Sequence, residues 1–342
     1  MLARYISYMV LINEIMVLPM KWAAKIFLAI LVLNITLFSM GRVKAQEEKP
    51  LIVTTTSVLS SIVEDLAKGK VEVEYIVPPS LCPGHYDVKP SDVELIRSAD
   101  LILKHGIMGE YWLEDLINTA NQTGDLHVPI VEVGAGWNTP TGARNLYSNV
   151  ANAISEYLGI DISDRLTECM QAINNTEAEL KEIAEENNFN EISVVVMLWQ
   201  KPFVEFLGFR VVATYGPPEK VSERDIAEVE DNATKYGARL VIDNLHSGTS
   251  LGEKIANDVG AVHVVLINFP GTMLEVNNLT AMMLYNAKLL ADAVDEYEYR
   301  AQIQTLERKV SIWQYATVAI GIIALFEAMI IAVMVKRGKK IE

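Results

Sequence analysis

The sequence predicts an α/β fold: two lobes with parallel sheets joined by one long backbone helix, plus an N-terminal signal segment and one C-terminal transmembrane helix. Three observations carry that expectation. Short Val- and Ile-rich runs alternate with amphipathic stretches in two successive sets, the pattern of βα units that build buried parallel sheets. A charged helical stretch separates the sets. Both ends of the chain carry apolar runs, each of a different kind.

The first set holds strand-like runs at Leu51–Thr55, Val71–Val77, Leu101–Lys104 and Ile130–Val133. The second holds Ile192–Met197, Arg210–Ala213, Leu240–Asp243 and His263–Leu266. Between them, about Ser163 to Asn188 reads as one helix, with Asp161 or Ser163 able to cap it. Glu177, Glu179, Lys181, Glu182, Glu185 and Glu186 give it a solvated face. A kinked pair of helices is the other reading. A rigid helix between two lobes would keep any closure on a ligand small.

At the N-terminus, Lys21 and Lys25 precede an apolar run from Ile26 to Phe38, and Val43-Lys44-Ala45 resembles a cleavage site. Residues 1–45 therefore read as a signal peptide region, with Met20 a natural start; a retained anchor helix is the alternative. At the C-terminus, Trp313 to Val335 is apolar and long enough to cross a hydrocarbon core of about 30 Å. Trp313 and Tyr315 mark one interface, and Lys336, Arg337, Lys339 and Lys340 mark the other, as the positive-inside rule expects. Glu327 interrupts the span, where a carboxylate is costly and is usually paired or protonated. The first cysteine, Cys82, comes too late for a lipid anchor, so the span is expected to do the tethering. Such a tether suits a cell without an outer membrane.

The expected organisation is a signal region over 1–45, an N-terminal lobe over 46–160, the connecting helix over 161–190, a C-terminal lobe over 191–312, an anchor over 313–335 and a basic cytoplasmic tail over 336–342. The lobes would lie on the extracytoplasmic side of the cell membrane. Glycosylation-type triplets at Asn121, Asn174, Asn232 and Asn278 are compatible with export. A net charge of −15 argues against a nucleic-acid partner. Two cysteines, Cys82 and Cys169, allow one bridge at most, and Cys169 sits in a helical pattern as a small buried residue. The chain contains no Gly-rich phosphate loop, nucleophile elbow or His-Glu-x-x-His motif, so an enzyme is not expected.

One loop carries the most chemistry: Pro78-Pro79-Ser80-Leu81-Cys82-Pro83-Gly84-His85-Tyr86-Asp87-Val88-Lys89-Pro90-Ser91-Asp92. It follows a strand run and precedes a helical one, and Cys82 and His85 could present two soft donors to one ion. The loop resembles, without a gap, the first metal-ligand loop of the zinc/manganese (cluster A-I) family of ABC-transporter solute-binding proteins, which reads Pro-Pro-Gly-x-Asp-Pro-His-x-Tyr-Glu-Pro-x-Pro-Ser-Asp. A second segment, Ala99-Asp100-Leu101-Ile102 through Gly106 and Glu110 to Trp112-Leu113, is similar to the family's Ala-Asp-Leu-Ile-x-x-x-Gly-x-x-x-Glu-x-Trp-Leu. Arg239 to Asp243 resembles the family strand that ends in a carboxylate, and Gly260-Ala261-Val262 leads into the strand before the last ligand. The resemblance implies two α/β lobes joined by a long helix, with metal bound at the carboxyl ends of the strands. That placement also follows from the general rule for open α/β sheets.

The family's four ligand positions carry other residues here. They fall on Gly84, near Ala135, near Met197 and on Asn268. Replacement metal donors at predicted strand ends are Cys82 and His85 in the first lobe, and Met197, Asp243 and His246 in the second. Together they lean soft, toward zinc or Cu(I). Each also has a plain structural reading: a half-buried thiol, a helix cap, a core methionine, a loop brace and an exposed turn histidine. Trp137, Trp199, Asn268 and Tyr86 are expected cleft contacts, and Tyr215-Gly216-Pro217-Pro218 adds to an aromatic-rich wall. His105, His127 and His263 read as structural. The expected function is a tethered solute-binding component of an ABC importer. It would capture a transition-metal ion, zinc first, with no catalytic cofactor, and deliver it to a permease and ATPase. The alternative within the same role is a metal chelate or small organic solute with no bare-metal site. An adhesin or sensor ectodomain is a more distant possibility.

Overall fold

The computed structural model describes residues 49–122 and 124–338, together with residues 6, 7, 9, 22 and 24–31. Side chains are described as far as Met334. Two units separate, Met1–Lys49 and Pro50–Glu342. In the first, residues 24–31 are helical and exposed. Met20, Lys21, the Val43-Lys44-Ala45 triplet and the tail lysines Lys339 and Lys340 lie outside the described residues.

The second unit holds two four-stranded sheets, parallel throughout. The first contains β1 (Leu51–Thr56), β2 (Glu72–Val77), β3 (Leu101–Lys104) and β4 (Ile130–Glu132), in the order β2-β1-β3-β4. The second contains β5 (Ser193–Met197), β6 (Arg210–Tyr215), β7 (Leu240–Asn244) and β8 (Val262–Leu266), in the order β6-β5-β7-β8. All eight strand runs read from the sequence are strands, and the two lobes have the same strand order. Chain direction across each sheet reverses beside β1 and beside β5. The crevice at the carboxyl ends of those strands is therefore the place for a ligand.

Helices fill the connections. They are α1 (Ser57–Ala67), α2 (Pro90–Ser98), α3 (Trp112–Ala120), α4 (Pro140–Leu158), α5 (Ser163–Glu186), α6 (Lys201–Phe206), α7 (Glu223–Tyr236), α8 (Ser250–Val259) and α9 (Leu279–Gly338). The connecting helix α5 is a single helix of 24 residues, about 36 Å at 1.5 Å per residue. Ile162 occupies the N-cap position, so neither candidate sits there; Asp161, one residue before it, still accepts at Oδ1 from the Ser163 backbone N–H at 3.0 Å and the Ser163 hydroxyl at 2.8 Å.

One apolar cluster runs through both lobes. Ile52, Leu59 and Leu103 from the first join Val194, Leu240 and Leu266 from the second through Tyr147 and Ile154 of α4, Ile173 and Leu180 of α5, and Met283 and Leu290 of α9. Fully burying a Leu or Ile side chain contributes about 1.5–3 kcal/mol. This shared core makes wide separation of the lobes costly.

Helix α9 does two things. Its first turns, with Leu279, Met282, Met283, Ala287, Leu290 and Val294, are buried in the second lobe. The Arg239 guanidinium lies over the Tyr297 ring and 3.7 Å from Glu298, and this is where the lobe contact ends. Beyond Glu298 the same helix continues, exposed, through the apolar stretch after Trp313. The helix is unbroken at residues 312–313, the boundary expected between lobe and anchor. By length and composition, it is long and apolar enough to cross a membrane.

Candidate functional site

The facing carboxyl ends of the two sheets enclose a cavity of about 770 Å³. Its floor is a row of rings. Trp137 lies 5.9 Å from Phe269, Phe269 meets His246 edge-on at 4.7 Å, and His105, behind the lining, packs tilted against Trp137 at 4.6 Å between centroids. Trp199, Leu198, Met108 and Tyr111 supply the more exposed walls.

Local structure explains how these groups are held. In the first lobe, Glu110 closes the turn after β3. It accepts from the backbone N–H groups of His105 at 3.0 Å, Gly106 at 2.7 Å and Ile107 at 3.3 Å, and from the Thr55 hydroxyl. Trp112 Nε1 donates to the Pro83 carbonyl at 2.9 Å and so fixes the loop bearing Cys82 and His85. His105 is buried between Thr56 Oγ1 and the Gly134 carbonyl, each 2.8 Å away. Burial holds its imidazole below the ordinary value, and hence neutral. Trp137 follows a tight passage: a Cβ on Gly142, in the first turn of α4, would fall 1.6 Å from the Gly136 carbonyl oxygen. Only glycine allows that approach.

Several contacts tie the lobes across the cavity. Trp137 Nε1 donates to the Asn268 carbonyl at 2.8 Å, and Asn138 Nδ2 to the Trp199 carbonyl at 3.0 Å. Thr272 Oγ1 lies 3.1 Å from the Pro79 carbonyl oxygen. At the mouth, His85 Nε2 is 3.7 Å from Glu219, with both side chains about half exposed. His246 sits beside this seam, with Nε2 3.3 Å from Thr272 Oγ1 and Nδ1 3.4 Å from Asn244 Oδ1. Its pKa is pushed down to about 4, chiefly by burial, with the Pro79 carbonyl opposing.

The structure divides the five expected metal donors. Cys82, His85 and His246 line the cavity; Met197 and Asp243 do not. Met197 is fully buried in a core cluster, and its sulfur accepts from the Trp199 N–H at 3.4 Å. Asp243 is also fully buried and faces α8: a Cβ on Gly252 would fall 2.1 Å from its Oδ2. That oxygen lies 3.0 Å from His263 Nε2. The physical reason is strand alternation, which turns successive side chains to opposite faces of the sheet. Among the described residues, no three His, Cys, Asp or Glu side chains converge as a metal cage. Burial also raises the Cys82 thiol, away from the thiolate that binds metal.

Of the expected cleft contacts, Trp137, Trp199 and Asn268 line the cavity. Tyr86 does not. It is buried beneath the loop, donating to Asp92 Oδ2 at 2.8 Å and packing on Trp112 at 5.3 Å. Glu219, Phe269 and Met108 were absent from the sequence expectation. For Glu219 the available signal was a lone carboxylate following the rigid Pro217-Pro218 pair. The Asn268 Oδ1 atom is buried and has no hydrogen-bond partner, a free acceptor at the edge of the cavity.

Comparison with known proteins agrees with this architecture. Residues 52–293 match the family described as zinc-uptake complex component A, periplasmic. An uncharacterized protein of Rickettsia prowazekii is 26% identical over 195 residues, which is 54% of this chain and 63% of that protein. The manganese ABC transporter substrate-binding lipoprotein PsaA of Streptococcus pneumoniae is 36% identical over 83 residues, 23% of this chain and 27% of that protein. The chain thus spans less than two thirds of the length of each of these relatives. The Mn-bound periplasmic metal binding protein of Candidatus Liberibacter asiaticus superposes with a TM-score of 0.63 at 16% identity, covering 72% of this chain and 100% of that one. The periplasmic zinc binding protein TroA of Treponema pallidum gives 0.61 at 18% identity, covering 72% and 99%. Members of the matched family are transporter solute-binding proteins, not enzymes.

Proposed function

This chain belongs to the zinc-uptake complex component A family of periplasmic solute-binding proteins, and we propose that it is the extracytoplasmic binding component of an ABC importer whose cargo has an organic body, a chelated metal ion first of all. The observation that carries this reading is the character of the cavity. A volume of about 770 Å³ with aromatic walls is sized for a small molecule, not for a bare ion. Its charges are few: Glu219 and Lys220 offset each other, and His246 is neutral at pH 7. A naked divalent cation placed there would lose its hydration with little countercharge, a cost that buried charges do not bear unpaired. A chelate brings its own donors and presents an apolar exterior to Trp137, Trp199 and Phe269. A donor group on it would satisfy Asn268 Oδ1.

In this reading the cargo enters past His85 and Glu219, settles on the ring floor and is passed to a permease and its ATPase. The apolar end of α9 would hold the lobes at the membrane surface. A second reading, direct zinc binding, rests on Cys82, His85 and His246 sharing one cavity. One experiment separates the two: native mass spectrometry and metal analysis of the full chain, purified in detergent without chelator. A mass increment of metal plus an organic body supports the chelate. One equivalent of bare zinc, lost in a His85→Ala, His246→Ala double variant, supports the second reading. A protein that arrives empty and whose melting is unmoved by a panel of metal chelates removes the first.

A further inference from the structure

We propose that the exposed length of α9 is a dimerisation stalk, pairing two copies of this chain in a parallel coiled coil. Beyond the last lobe contact at Glu298, apolar residues recur at Tyr299, Ile303, Leu306, Val310 and Trp313. The spacing is four, three, four, three, the a/d repeat of a heptad. With Ile303 and Val310 at a and Leu306 at d, the residue choice is the one that favours two parallel strands. Among the described residues most of these side chains are exposed in a single copy: Leu306 60%, Val310 55% and Trp313 73%, with Ile303 lower at 38%. The faces between them carry Gln302, Gln304, Thr305, Glu307, Arg308 and Lys309.

Two observations identify the occupant as a second copy. The first is charge. In this register Asp295 takes a g position and Arg300 the following e position, so in a parallel pair each Asp295 meets the partner's Arg300. Arg300 already holds Glu296 on its own helix, and the partner's carboxylate would add to that ion pair. The second is geometry. At 100° per residue the seam lies roughly 140° around α9 from the Met283, Ala287, Leu290 and Val294 stripe that faces the lobe. A partner helix would therefore approach from the open side, with the two lobes splayed outward and their cavities unobstructed. The same register continued into the apolar segment places Glu327 at a d position, where two carboxyl groups would meet on the dimer axis and one could donate to the other. This gives Glu327 a partner, which an intramembrane carboxylate ordinarily has.

A seam of two heptads would be marginal for a free peptide. Here the helix is already formed by continuity with the lobe, and confinement to one membrane would raise the effective concentration. The parallel sense rests on the single-span tether.

Disulfide trapping of the full chain in membranes tests this, with single cysteines introduced on a Cys82→Ser background. Cross-linked dimer should peak for Ile303→Cys, Leu306→Cys and Val310→Cys, and fall about fivefold or more for Gln304→Cys, Thr305→Cys and Arg308→Cys, following the heptad. Asp295→Lys should lower the Leu306→Cys dimer, and adding Arg300→Glu should restore it. All these positions lie outside the lobes' core, so lobe melting serves as a folding control. A flat cross-linking profile, or no dimer from any seam position, overturns the stalk. That result leaves cargo binding by the single chain untouched, so it is distinguishable from failure of the transport reading.

Discussion

The two lobes share one strand order but treat their buried polar groups in opposite ways. At the switch point of the first sheet, Thr56 and His105 bond to each other, and Glu110 is surrounded by four donors. Ser57 Oγ is the single buried side-chain oxygen without a partner among that lobe's described residues. Among its described residues the second lobe leaves Asn268 Oδ1 and both amide atoms of Gln200 without a hydrogen-bond partner. A satisfied buried network rigidifies its surroundings, whereas an unsatisfied one carries a cost that a ligand or water can remove. The first lobe is thus a finished wall that holds a loop in place. The second lobe bears the unpartnered acceptor of Asn268, a residue that lines the cavity.

The largest effect is expected from breaking the finished network. Glu110→Ala removes the acceptor of three backbone N–H groups and one hydroxyl and should destabilise the protein by about 3–5 kcal/mol, read by chemical denaturation. A loss below about 1 kcal/mol would mean that water replaces the carboxylate and that the lobes are less different than they appear.

Next comes His246. Its pKa is about 4 in the folded protein against 6.5 ordinarily, so the unfolded chain binds the extra proton between those values. Stability is then fully present above pH 6.5 and is lost as pH falls toward 4, by up to about 3 kcal/mol. Melting curves from pH 7 to 4 should show this decline, and His246→Gln should flatten it. Buried His105 shifts in the same direction and accounts for acid sensitivity that remains in the variant. An unchanged slope in His246→Gln would place the titrating group elsewhere.

Asn268→Leu tests the other side of the comparison. Replacing an unpartnered acceptor by an apolar side chain should alter stability by less than about 1 kcal/mol. It should also weaken binding of the cargo about tenfold, or roughly 1.4 kcal/mol. Equal losses in stability and binding would make Asn268 structural after all. The smallest effect belongs to the rim: Glu219→Gln should change stability by no more than about 1 kcal/mol, and any effect should vanish at high salt. A large salt-insensitive loss there would show that the mouth is drier than the exposure of His85 and Glu219 implies.

Much of this was legible in the chain itself. Strand runs, the connecting helix and the apolar C-terminal stretch follow from periodicity and length, because burial of one face imposes a repeat that neighbouring residues alone reveal. The loop from Pro78 to Asp92 and the segment from Ala99 to Leu113 announced the family. The structure then showed what their other residues do: Trp112 and Glu110 hold the loop and turn, and Tyr86 braces Asp92.

Side-chain direction was decided only in three dimensions. Cys82, His85, Met197, Asp243 and His246 all stand at or after strand ends, and their order along the chain is equally compatible with one site. Tertiary packing sends Met197 and Asp243 into the second lobe's core and leaves three donors around a wide aromatic cavity. The closing of Trp137 onto Asn268, across 131 residues of sequence, was likewise invisible. Sequence pattern fixes which faces are buried, because that is a local periodicity. Which groups meet at a cleft depends on how two sheets from distant stretches of the chain are brought together, and that is settled by the shared core through α4, α5 and α9.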